Sequence, residues 1–243
     1  MVSTPMDTLL PRGSGERRLY TWAAAVGLLT MFAGFAPTFY LKGVLGGAPD
    51  LDTMRMIHGA VMTTWFTLFL VQARLVAAGR TDIHRNLGAA GIVVAAAVVG
   101  MGMSLAIASA RTGFSPVPEI PALVFLVMPV GEMFVFTVLF AAAISLRKRS
   151  AWHKRLMLLA TLAMLTPAVA RLPFAFLRAG GPPAFFAVTD LIILGCIAFD
   201  TVKNRRLHPA FIAGLAFVVA GQLGRLALSQ TGAWMSFAKW LVG

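Results

Sequence analysis

Seven times along its 243 residues the chain runs for roughly twenty residues with hardly a charge, and lysines and arginines punctuate the gaps. Such runs cannot sit on the surface of a water-soluble domain. A hydrocarbon core about 30 Å thick is crossed by about 20 apolar helical residues. In that medium only a helix or a closed barrel satisfies its own backbone groups. The runs are Leu19–Leu41, Met56–Ala78, Leu87–Ala110, Pro121–Leu146, Leu156–Leu172, Pro183–Phe199 and Pro209–Leu228. They predict an all-α, polytopic bundle of seven transmembrane helices, forming one domain over 19–243 behind an N-terminal tail at 1–18. The fifth and sixth runs are the shortest. Between them "RLPFAFLRAGGPPAFF" is broken by Pro173, Gly180, Gly181, Pro182 and Pro183, which reads as a turn at the membrane surface.

Composition narrows the function classes. Charged residues make up 12% of the chain, against about 25% in a soluble domain, which excludes an ordinary cytoplasmic enzyme. A lone cysteine, Cys196, excludes a disulfide framework and any CxxC motif. The 21 Lys+Arg against 9 Asp+Glu do not signal nucleic acid, because they sit in loops rather than along one face. The expected partner is the lipid bilayer. Fourteen basic residues fall in the tail and the even-numbered loops and seven on the other side. That bias predicts a cytoplasmic N-terminus and an external C-terminus, in a bacterial inner membrane. The tail ahead of the first run has charges but no apolar core, so it does not read as a cleavable signal, and the first run reads as an uncleaved anchor.

Ionisable side chains inside a bilayer are costly and mark candidate sites. His84 in "DIHRNLG", His153 in "AWHKRL" and His208 in "RRLHPAF" open the third, fifth and seventh helices at one depth on the cytoplasmic rim. Imidazoles at one level can ligate a haem iron, or a zinc, iron or copper ion with Asp82 or Asp200 as a further partner. Arg85, Lys154 and Arg155 are placed to hold haem propionates. The bland alternative is three headgroup-level histidines with no cofactor at all. A second group lies in the outer half: His58, Glu132, Asp190, Arg171, Arg225 and Gln222. Glu132 is expected roughly 16 Å down its helix. Two internal ion pairs, joining Glu132 or Asp190 to Arg171 or Arg225, would orient the helices. A substrate, quinone or proton site is the alternative.

The stretch "IHGAVMTTWFTLFLVQARLVAAGRTDIHRNLG", with "HKRLM" and a late "HPA", resembles a group of uncharacterised bacterial polytopic membrane proteins. More distantly it is similar to the ascorbate-linked transmembrane b-type cytochromes. That likeness implies that His58 and His84 are haem ligands. It departs from the pattern in leaving His58 without a histidine partner, so it implies a single inner haem, with His84 and His153 the preferred pair. No HExxH or GxGxxG motif supports hydrolase or nucleotide chemistry. Three readings stay open: a b-type haem electron carrier, a three-histidine metal protein, and a non-catalytic accessory subunit of a larger membrane complex. Catalytic residues are not assigned.

Overall fold

The computed structural model describes residues 14–45, 50–117 and 119–243, with side chains from Arg18 onward. Most of the expected tail, residues 1–13, lies outside the described residues. Eleven α-helices are described: α1 (Ser14–Phe35), α2 (Lys42–Leu45), α3 (Thr53–Ala77), α4 (Thr81–Arg111), α5 (Ala122–Phe125), α6 (Val127–Ser145), α7 (Ser150–Ala163), α8 (Thr166–Val169), α9 (Ala175–Asn204), α10 (Pro209–Leu228) and α11 (Gly232–Val242). A π-helical turn, Ala36–Tyr40, extends α1. No strand occurs among the described residues. Local chemistry sets several starts. Asp52 caps α3 by accepting from the Arg55 N–H at 2.7 Å, and Thr231 caps α11 through the Trp234 N–H at 3.2 Å. His208 caps α10, with Pro209 at the first helical position.

Among the described residues six helical stretches are long and apolar enough to cross a membrane, so the described chain is all-helical and suited to a lipid bilayer. The fifth apolar run is not among them. There α7 ends after fourteen residues, about 21 Å by the helical rise, and α8 adds a single further turn. Pro167 explains the break: it has no N–H to give Ala163 O, and its ring crowds that carbonyl. Thr166 Oγ1 donates to Ala163 O instead, at 3.5 Å. The backbone tightens through Met164 N–H to Thr161 O and Leu165 N–H to Leu162 O.

This short, broken rod lies at the centre of the molecule. Leu158, Leu159, Leu162, Leu165 and Val169 are completely buried, and α1, α6, α9 and α10 pack around α7. α3 packs between α1 and α4, and α4 returns to α6. α1 passes α8 so closely that a Cβ on Gly34 would lie 2.2 Å from Ala168 O. Gly34→Ala should therefore force the two backbones apart and lower stability by about 1–3 kcal/mol. Gly224 has open space around it, so Gly224→Ala should leave the melting temperature in detergent unchanged or slightly raised.

Two further features differ from the sequence expectation. The segment before the sixth run is not simply a turn. Residues 175–180 are helical, the chain breaks at Gly181 with φ 56° and ψ −149°, and the helix resumes through Pro182 and Pro183. Only glycine holds that conformation readily. The second feature is α11, which no apolar run announced. Trp234 and Ala238 bury against Ala110, Leu126 and Val127, and Trp234 Nε1 donates to Leu123 O at 2.8 Å. Trp240 is exposed, which gives α11 the two-sided character of a helix lying along an interface.

Candidate functional site

α4 and α7 begin alike at the end of the bundle where the connections carry Arg80, Arg147, Lys148 and Arg149; we call this the basic end. His84 is the fourth residue of α4 and His153 the fourth of α7. Their N–H groups donate to Arg80 O and Arg149 O, each at 3.1 Å. The fold brings these two rings together, with centres 6.3 Å apart and planes at 75°. Each ring is fixed through Nδ1. His153 Nδ1–H donates to Ala143 O on α6 at 2.9 Å. The Gln72 amide of α3 bonds to His84 Nδ1 at 2.7 Å and, in its best-satisfied orientation, accepts from the Gly88 N–H at 3.2 Å. Nε2 is therefore the remaining nitrogen of both rings. Since a ring atom lies about 1.1 Å from its centre, the two rings stay about 4 Å apart at closest. That is too far for a direct hydrogen bond.

His208 does not join this pair. Its Nδ1 accepts from the Ala210 N–H at 3.1 Å, and its ring stands edge-on to Trp152, centres 5.4 Å apart. Among the described residues, no three His, Cys, Asp or Glu side chains are arranged to hold a metal ion. Burial holds the His208 imidazole below its usual pKa, reinforced by Arg155 and Arg206 and opposed by Asp200. The consequence has a definite sign. Above the unfolded pKa of about 6.5 the folded and unfolded states are both neutral and nothing changes. Below it the unfolded chain takes up a proton that the folded one resists, so stability should fall as pH drops from 7 to 5. Melting curves should show this loss, and His208→Asn, which keeps a capping acceptor without titrating, should flatten it.

Arg155 and Asp200 are not where the haem or metal expectation put them. Arg155 turns inward and donates to Asp200 Oδ2 through Nη2 at 2.6 Å and Nε at 3.1 Å. Tyr20 Oη donates to Asp200 Oδ1 at 3.2 Å. The two partners are 3% and 0% exposed, and the guanidinium lies over the Phe211 ring. Arg85 is exposed at the basic end, and Lys154 lies over the Tyr20 ring at 5.4 Å.

From Gln72 a column runs toward the opposite end. On α3, His58, Trp65 and Gln72 are spaced by seven and share a face. Trp65 packs edge-on against Phe136 and Phe140 of α6, at 5.1 and 5.7 Å. By the helical rise His58 lies about 21 Å from Gln72, six residues into α3 and so deeper than the sequence suggested. Trp65 Nε1, His58 Nδ1 and Glu132 Oε1 are buried without a hydrogen-bond partner.

The outer group gathers around Glu132, but as a looser set than two ion pairs. Arg225 and Arg171 act on Glu132 electrostatically, Arg225 the more strongly. Arg225 donates to Gly221 O at 3.1 Å and Met128 O at 3.4 Å and lies over Phe186. Gly131 makes room, since a Cβ there would lie 2.6 Å from Arg225 Cγ. Arg171 donates to Pro167 O at 2.8 Å and lies over Phe35. Asp190 accepts from Gln222 Nε2 at 2.8 Å. Trp65 escaped the sequence reading, although an indole in mid-span, far from either headgroup layer, is itself the signal. No protein-family model, curated protein or solved structure matches the chain.

Proposed function

We propose that this chain is a membrane electron carrier of the bacterial cytoplasmic membrane, in which His84 and His153 hold the iron of a b-type haem. The spacing of the two rings carries this reading. Two iron–nitrogen bonds of about 2.0 Å and two ring half-widths of about 1.1 Å add to about 6.2 Å, beside the 6.3 Å present. The anchoring of Nδ1 supports it, because ligating histidines usually have their other ring nitrogen fixed by a carbonyl or similar group. Two protein nitrogens fall short of the three or four that zinc takes, whereas a porphyrin adds four of its own to iron. Loading asks one adjustment of the chain: the Gln72 amide turns over, so that its oxygen accepts from His84 Nδ1–H. Bound there, a haem supplies reversible one-electron exchange. Trp65, Phe136 and Phe140 then lie between the pair and the outer group, where a quinone headgroup could meet Glu132 or His58.

In this reading residues 150–169 make a seventh crossing and the basic end faces the cytoplasm. Reporter fusions after Arg149 and after Lys239 should read cytoplasmic and external; both on one side would overturn the crossing. The functional test is a reduced-minus-oxidised absorption spectrum of detergent-purified protein with metal analysis of the same sample. A b-type α-band with about one iron per chain is expected. Absence of both after expression with ample haem would overturn the carrier and leave the accessory-subunit reading.

A further inference from the structure

Among the described residues His58 Nδ1 and Trp65 Nε1 of α3 and Glu132 Oε1 of α6 are buried polar atoms without a hydrogen-bond partner. The fold sets them on facing helices. Both helices start at the end opposite the basic end and run the same way. The contact of Trp65 with Phe136, ring centres 5.1 Å apart, fixes their register. Glu132 precedes Phe136 by four residues and His58 precedes Trp65 by seven, so each shares its neighbour's face. By the helical rise Glu132 lies about 6 Å and His58 about 10 Å outward of that contact. The two side chains therefore stand across one interface with a depth difference of about 4–5 Å. Arg171 acts electrostatically on both. Glu132 and Trp65 are more than nine-tenths buried, while the His58 ring is half-buried. An acid, an imidazole and an indole N–H left unpaired at adjacent depths are the groups an internal water binds, typically through about three hydrogen bonds.

We propose that water joins Glu132 and His58 into a proton-exchange site, through which the buried acid trades its proton with the outer end of the bundle. The proton leaves the Glu132 carboxyl for the water, and the water passes one of its own to His58 Nδ1. The total charge of the pair is unchanged. The carboxylate left behind faces two cations, Arg225 from α10 and Arg171 from the turn after α8. Their hydrogen bonds go to the backbone carbonyls of Gly221, Met128 and Pro167, so they attract the carboxylate by charge at a distance. The other ionisable groups around the pair have partners of their own. Asp190 of α9 accepts from Gln222, Arg111 at the end of α4 donates to Val242 O, and Tyr40 shares a hydrogen bond with Thr63. Arg55, one turn outward of His58, pairs with Asp52. α5 has no ionisable side chain, and those of α7 lie at the basic end. The site uses neither of the proposed haem ligands, so it stands whether or not the carrier reading holds.

The test is infrared spectroscopy of the full chain in phosphatidylcholine nanodiscs, titrated from acid to alkaline pH and switched between light and heavy water. A protonated-carboxyl C=O band is expected that titrates reversibly and moves to lower frequency in heavy water. Glu132→Gln should lose it, whereas Asp190→Asn should keep it. His58→Gln keeps a hydrogen-bonding side chain but cannot carry a proton, so it should slow the heavy-water shift at least tenfold. A water held only for packing would leave that rate unchanged. A spectrum with no titrating band removed by Glu132→Gln overturns the proposal, as does a band that disappears in Asp190→Asn instead. Equal exchange rates in His58→Gln and the parent also overturn it. If Glu132→Gln does not fold, Glu132→Asp, which keeps the acid on a shorter stem, should shift the titration midpoint; an unshifted midpoint counts against Glu132 and overturns the proposal. The band needs no haem, so this outcome is separate from that of the absorption spectrum.

Discussion

Asp200→Leu will cost the bundle about 3–5 kcal/mol, because it removes the carboxylate that neutralises the buried Arg155 guanidinium. The same loss is expected for Arg155→Met, which strands the carboxylate. Arg155 donates two charge-assisted bonds to one oxygen of Asp200 while Tyr20 donates to the other, and both ionised groups are buried. Breaking such a pair is far more damaging than removing it whole, since the desolvation of both charges disappears together in the double change. Arg155→Met/Asp200→Leu should therefore recover most of the lost stability. Unfolding in mixed detergent followed by tryptophan fluorescence gives the four corners of the cycle. A double variant as unstable as the sum of the singles would mean that the pair does not act as a unit.

The second large effect belongs to the proposed haem carrier. His84→Ala and His153→Ala should each abolish the six-coordinate haem spectrum, because one remaining imidazole cannot hold a low-spin iron on both faces. His58→Ala and His208→Ala should retain it, since neither ring joins the pair. Gln72→Leu is a subtler probe. It leaves both ligands but removes the group that fixes His84 Nδ1, so haem should bind more weakly by about 10–100-fold, with a shifted reduction potential. A spectrum surviving in His153→Ala would remove this histidine from the site.

The membrane class and most of the crossings were legible because an apolar run of sufficient length has few alternatives. What could not be read was direction. A helix apolar all round carries no stripe to say which face turns inward, so spacing alone set three histidines at equal depth and only the resemblance preferred His84 and His153. In the structure His84 and His153 meet while His208 caps its own helix. The same blindness hid the Arg155–Asp200 pair. Both residues were visible at the same end of the fifth and sixth runs, yet nothing in spacing joined residues 45 apart in the chain. The fifth run misled in length for another reason: its apolar residues continue past Pro167, but the hydrogen-bond ladder is interrupted there and resumes for a single turn. α11 was missed because eleven residues are too few to register as a crossing.

The broken α7–α8 rod also bears on how the protein is made. It is the segment least able to enter a bilayer alone, being short, interrupted, and opened by His153, Lys154 and Arg155. Its partners α9 and α10 have not yet emerged when it leaves the ribosome, and Asp200 follows Arg155 by 45 residues. At that moment the guanidinium lacks the Asp200 carboxylate. The nascent rod must therefore wait beside α6, with its charged end held in the headgroups, until α9 arrives. Biogenesis of this chain should stall at that point: a truncation ending before residue 200 should leave the rod open to proteases, and one extending beyond α10 should protect it.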